Sequence, residues 1–166
     1  MAIRIRKVHH NPARQVDHRE DNTRVRFLSA CEESALRKAI QANWPDRVAE
    51  FNLSLNTGLR LSEQYGLLCE NAFIPLRIVT IPRSKNGNIR HVPLNQGALQ
   101  ALKVLRKQHK GSEFVCCGAR EPRRWFEAAL KQAQVTGFSW HCLRHTFASR
   151  LVMAVIDLRT VQELRP

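Results

Sequence analysis

The sequence predicts an α+β fold: a mainly helical domain with a small antiparallel β-sheet, roughly residues 72–94, on one side. Three observations point there. Capped stretches with helical apolar spacing lie on both sides of residues 72–94. Within that window Phe73-Ile74, Ile78-Val79-Thr80-Ile81 and Ile89 to Leu94 are rich in β-formers, and Asn86-Gly87 supplies a tight-turn dipeptide between the last two runs. The chain of 166 residues is 43% hydrophobic, enough for one sizeable core and against disorder throughout.

Residues 1–26 are polar and charged, contain Pro12 and lack periodicity, so they read as an N-terminal arm or linker remnant preceding a domain over 27–166. Ser29 and Glu32 form an S-x-x-E capping box, and Ala35, Leu36, Ala39 and Ile40 then share a face. Trp44-Pro45-Asp46 breaks that helix. A second, about 46–56, carries Val48, Phe51, Leu53 and Leu55 and stops at Gly58. A third starts near Ser62 and takes in Leu67 and Leu68. After the sheet, Asn95–Gln108 carries Leu99, Leu102, Val104 and Leu105. Phe114-Val115-Cys116 reads as a short extended piece. Glu121–Val135 is amphipathic, with Trp125, Phe126, Ala129 and Leu130 on one face. A helix from Trp140 to Val155 directs Phe147, Leu151 and Val152 into a core, and Asp157 caps a last helix, Leu158 to Leu164.

Lys and Arg total 27 against 14 Asp and Glu, a net charge of +13. Unpaired charge is costly to bury, so much of this excess lies on the surface, where it attracts polyanions such as nucleic acid. The arm holds seven basic and three acidic residues, leaving +9 to the body. The five cysteines are odd in number, form no CxxC pair and include adjacent Cys116-Cys117, a pattern of structural thiols in a reducing compartment. No run approaches the ~20 apolar residues of a membrane span, and Met1 to His10 lacks the apolar centre of a secretory leader. The expected location is cytoplasmic, with no membrane partner.

Three motifs carry chemistry. Thr57-Gly58-Leu59-Arg60-Leu61-Ser62-Glu63 places an arginine after a glycine-ended helix, with a carboxylate at i+3 to orient it. The planar guanidinium suits two phosphate oxygens. Ser84-Lys85-Asn86-Gly87 puts a lysine at a hairpin tip, where it could protonate a leaving oxygen. His141-Cys142-Leu143-Arg144-His145 offers two imidazoles and a guanidinium within five residues, with His141, Arg144 and His145 on one helical face. Taken singly, the first reads as a surface ion pair and the second as a solvated turn lysine. A zinc site from His141, Cys142 and His145 lacks the usual paired spacing.

Together, and in this order, the motifs resemble the catalytic domain of the tyrosine recombinases, the phage integrase family. Ile81-Pro82-Arg83 before the lysine and Val92-Pro93-Leu94 after it are also similar to that family. The resemblance covers roughly residues 25–164. It implies a DNA-strand-cleaving site in which a tyrosine attacks a backbone phosphate, giving a 3′-phosphotyrosyl link and a free 5′-hydroxyl. Arg60 and Arg144 would clamp the non-bridging oxygens, Lys85 would protonate the 5′-oxygen, and His141 would assist proton transfer. Glu63 and His145 would support them, and Arg83 and Arg90 would contact DNA. Guanidinium groups carry the charge work, so no metal or cofactor is expected.

The departures are equally specific. The family continues past Val161-Gln162-Glu163-Leu164 with a Leu-Gly-His segment and a later helix bearing the tyrosine. Here the sequence reads Leu164-Arg165-Pro166, and its one tyrosine, Tyr65, falls far upstream at a core or helix-face position. The expectation is a truncated catalytic domain lacking the nucleophile and inactive alone, part of the machinery of DNA integration and recombination in a mobile element. The alternative is a non-catalytic module for binding DNA or a partner. Double-stranded DNA is the expected ligand, with a full-length integrase or a second copy of the chain as further partners. Arg60→Ala and Arg144→Ala are expected to weaken phosphate binding while hardly changing the fold.

Overall fold

The computed structural model describes residues 26–82, 89–116 and 122–154. The arm over 1–25, Arg83, Lys85, the Asn86-Gly87 turn, Cys117 and the helix expected after Asp157 lie outside the described residues. Six α-helices and three strands appear among those described: α1 (Ala30–Asn43), α2 (Val48–Thr57), α3 (Leu61–Tyr65), β1 (Ala72–Phe73), β2 (Ile78–Ile81), β3 (Arg90–Pro93), α4 (Gln96–Gln108), α5 (Pro122–Gln132) and α6 (Trp140–Met153).

Local signals account for most boundaries. Ser29 caps α1 through the expected reciprocal box with Glu32. Asn95 caps α4 by accepting from the Ala98 backbone at 2.8 Å. Pro122 opens α5, where its missing N–H is not needed. Gly58 closes α2 in the left-handed region at φ 61°. A Cβ at Gly58 would lie 2.5 Å from Cδ1 of Phe147 on α6, so strain and overlap act together there. Gly58→Ala should therefore lower stability by about 2 kcal/mol or more. Chemical denaturation measures this; an unchanged midpoint would contradict the close approach.

The sheet has order β1-β2-β3 with antiparallel pairs, including Val79↔Val92 and Ile81↔Arg90. Alternation along β3 turns Arg90 and Val92 inward and His91 and Pro93 outward.

Two apolar clusters meet at α2. Leu53 belongs to one cluster with Val79, Val92, Leu99, Leu102 and Leu105, under the sheet and α4. Phe51 and Leu55 belong to the other, with Leu36 and Ile40 of α1, Trp125 and Phe126 of α5, and Leu143 of α6. A helix buried on most of its sides is thus the central one, which explains why Phe51, Leu53 and Leu55 do not follow a single stripe. Phe126 lies edge-on to Trp125 and Trp140 with centroids 5.7 and 4.9 Å apart, locking α5 to the start of α6.

Three expectations are corrected. Helix α3 stops at Tyr65 with Gly66 as its C-cap, so Leu67 and Leu68 lie outside it. Leu67 enters the core, and Leu68 bridges Phe114 in the anticipated extended piece. On α4, Val104 is 45% exposed, because Leu99, Leu102 and Leu105 already fill the inward face. On α6, Val152 is 44% exposed rather than buried, since the inward positions there are Leu143 and Ala148. Among the described residues no helix is long and apolar enough to cross a membrane.

Candidate active site

The first and last motifs converge through α2, α3 and α6. Arg60 is the N-cap residue of α3. Its backbone N–H donates to Glu63 Oε2 at 2.8 Å, and its Nη1 donates to Glu63 Oε1 at 2.7 Å. One carboxylate thus closes the helix start and holds the guanidinium. Glu63 Oε2 also accepts from Arg90 Nη2 at 2.7 Å. Burial alone would push the Glu63 carboxyl up, but the Arg60 N–H and the two guanidinium groups outweigh it and hold the carboxyl below its ordinary value of 4.5.

That shift has a consequence in acid. A carboxyl depressed in the folded state contributes stability that is present above the unfolded value and lost as pH falls through the folded one. Glu33, between Arg37 and Arg150, is lowered as well, and Glu32, bonded to Arg26, drops to about 2. Stability should hold level above about pH 4.5 and decline progressively below it. Thermal unfolding from pH 7 to pH 3 measures this; a midpoint that rises on acidification would contradict it.

Arg144 is 4% exposed and donates Nη1 to the Gly58 carbonyl at 2.7 Å, 86 positions away. The left-handed turn of Gly58 leaves that carbonyl without a helical partner, and Arg144 supplies one. His141 is exposed one position into α6, and the half-buried His145 ring packs edge-on against it with centroids 4.8 Å apart.

Arg60, His141 and Arg144 line one cleft of about 420 Å³. Leu59, Phe126, Leu130 and Trp140 form much of its wall, with Glu127 and Ser139 at its polar positions. The N-termini of α3 and α6 both open onto this cleft, at Arg60 and at Ser139. The partial positive charge at the start of the 14-residue α6 adds to the guanidinium groups, and the apolar wall limits solvent screening. Such a site suits an anion with oxygens in several directions.

Lys85 and Arg83 lie outside the described residues. Arg90, expected at the DNA surface, has a side chain only 5% exposed and turned onto Glu63. The alternation that buries Val92 is the signal for this, since Arg90 shares its face. Tyr65 is half-buried and donates its hydroxyl to Glu50 Oε2 at 2.6 Å. Burial, then the Glu50 charge, pushes its phenol well above the ordinary range. Trp140 and Ser139 were not anticipated as cleft residues; their position immediately before His141 at a helix start is the only sequence sign of it. Among the described residues no group of three His, Cys, Asp or Glu could hold a metal ion.

Residues 21–165 match the model of the phage integrase family. The chain belongs to that family. It is 36% identical over 127 residues to tyrosine recombinase XerC of Pseudomonas aeruginosa, covering 70% of this chain and 42% of the relative. It is 27% identical over 145 residues to tyrosine recombinase XerA of Pyrococcus furiosus, covering 80% of this chain and 51% of the relative. The chain therefore spans about half or less of the curated relatives it matches. Among solved structures, the Tn1549 transposon integrase in complex with circular intermediate DNA superposes with a TM-score of 0.81 at 22% identity, over 98% of this chain and 65% of that one. The catalytic domain of bacteriophage HP1 integrase gives 0.66 at 25% identity, over 83% and 78%. The mainly helical body and its three-stranded sheet are those of an integrase-family catalytic domain, and the cleft falls between the first and last of the three motifs.

Proposed function

We propose that this integrase-family domain binds duplex DNA and holds one backbone phosphate in the cleft. The observation that carries this is the convergence of Arg60, His141 and Arg144, far apart in sequence, on one cavity. In strand cleavage, a phenol oxygen forms a bond to phosphorus as the bond to the 5′-oxygen breaks. Negative charge grows on the non-bridging oxygens, where Arg60 and Arg144 stabilise it. His141 takes part in moving the phenol proton, Lys85 delivers a proton to the 5′-oxygen, and Arg83 contacts the DNA nearby. His145 supports His141 through the ring contact, and Glu63 holds Arg60. Arg90 acts through Glu63, since its guanidinium is committed there.

Tyr65 does not supply the attacking phenol. Its hydroxyl is donated to a buried carboxylate, and it does not line the cleft. These 166 residues would then grip a scissile phosphate without attacking it, and cleavage would depend on a tyrosine from outside them; a full-length integrase or a second recombinase chain is the proposed partner. The same position of Tyr65 favours the second reading, a DNA- or partner-binding module without chemistry.

Nicked duplex DNA incubated with the chain and resolved on a denaturing gel should show no covalent band. On a native gel the same duplex should shift, with affinity falling by close to one power of salt concentration per phosphate neutralised. A covalent band would overturn the placement of Tyr65, and a salt-insensitive shift would overturn DNA as the ligand.

A further inference from the structure

Helix α3 carries the cap arginine and its carboxylate, yet it has only five residues. Isolated helices below about 12 residues are marginal in water, so its position is set by what it touches. Two consecutive side chains fasten it to a single residue of α2. Gln64, fully buried, donates Nε2 to the Glu50 backbone carbonyl at 2.9 Å. Tyr65 donates its hydroxyl to Glu50 Oε2 at 2.6 Å. Glu50 is itself fully buried, and its other carboxylate oxygen accepts from Arg47 Nη1 at 2.7 Å. The Tyr65 ring also lies 6.0 Å from that of Trp140, the residue that opens α6 and lines the cleft.

We infer that Glu50 and Tyr65 are positioning residues that set the Arg60 guanidinium relative to His141 and Arg144. The inference rests on the reading of the cleft as a phosphate site. Stability alone does not account for the arrangement, because a well-packed apolar pair of similar volume usually stabilises a core as well as a buried charge does. A hydrogen bond to a carboxylate adds direction. It fixes the rotation of a one-turn helix, and rotation of α3 carries Arg60 with it. The ring contact with Trp140 extends the same constraint to α6, so both arginines are referred to one buried point.

The test is a double-mutant cycle on the full chain, with binding of a labelled mixed-sequence duplex DNA read by fluorescence anisotropy. Tyr65→Phe keeps the ring and removes only the donor. It should retain cooperative thermal unfolding and weaken binding roughly three- to ten-fold. In an Arg60→Ala background the same change should weaken binding by less than about two-fold, because its route to the phosphate is gone. In an Arg144→Ala background its effect should persist. Glu50→Gln, which keeps an acceptor for the phenol, should bind more tightly than Glu50→Ala. If Tyr65→Phe unfolds without cooperativity, Gln64→Leu, which cuts the other tether, is put through the same cycle and decides. A loss that is equal with and without Arg60, or no loss, overturns the positioning role. An Arg60→Ala variant that binds as tightly as the parent instead overturns the phosphate site itself.

Discussion

Glu63→Ala should lower folding stability by about 3 kcal/mol and abolish most phosphate affinity at the cleft. The size of the effect follows from Arg90. Its side chain is 5% exposed and that of Glu63 is 8% exposed, so their 2.7 Å pair is largely shielded from water. Removing one member of such a pair leaves the other charge desolvated without its carboxylate, which costs far more than an exposed ion pair is worth. The Arg60 contact adds less to stability, since that guanidinium is 28% exposed, but more to function. Without Glu63, the α3 cap opens and the Arg60 guanidinium loses its fixed direction. Glu63→Gln should recover the cap in part and not the pair with Arg90. Denaturant midpoints and anisotropy titrations for the two variants measure both effects; a Glu63→Ala protein within 1 kcal/mol of the parent would contradict the buried pair.

Arg144→Ala should cost about 2 kcal/mol of stability and reduce DNA binding more than any single surface lysine does. The expectation from sequence was that this change would hardly touch the fold. The structure revises it, because Arg144 is buried and its Nη1 satisfies the Gly58 carbonyl. Truncation orphans that acceptor beside the φ 61° turn, at the point where α2, α3 and α6 meet. Arg144→Lys should not rescue binding fully, since a lysine cannot occupy the carbonyl and two phosphate oxygens with a planar fork. Arg60→Ala should behave differently, weakening binding with a smaller change in stability. If both variants retained parental stability, the Gly58 contact would have no energetic weight.

Much of this molecule could be read along the chain because the signals are local. The Ser29–Glu32 box, the Gly58 stop and the aromatic face of α5 each depend on residues within a turn or two. The strand positions followed from β-branched composition, although β1 came out at two residues. The family was legible for another reason: the three motifs stand in the family's order. What the motifs alone did not convey was which way each charge faces. Arg90 looked like a DNA contact, and only the pairing of Ile81 with Arg90 and the inward face of β3 bring it to Glu63. Val152 looked apolar and therefore internal, and it is exposed.

The sequence by itself determined the family, the helix boundaries marked by caps and glycines, and the strongly basic balance. Each depends on residue type and spacing, which survive without coordinates. Tertiary structure alone decided that Arg60, His141 and Arg144 share a cleft, that Arg90 and Arg144 are partly structural, and that Tyr65 is bound to Glu50. Those outcomes depend on partners 15 to 86 positions apart. A buried charge takes the nearest group that offsets its desolvation, and only the packed chain determines which group that is.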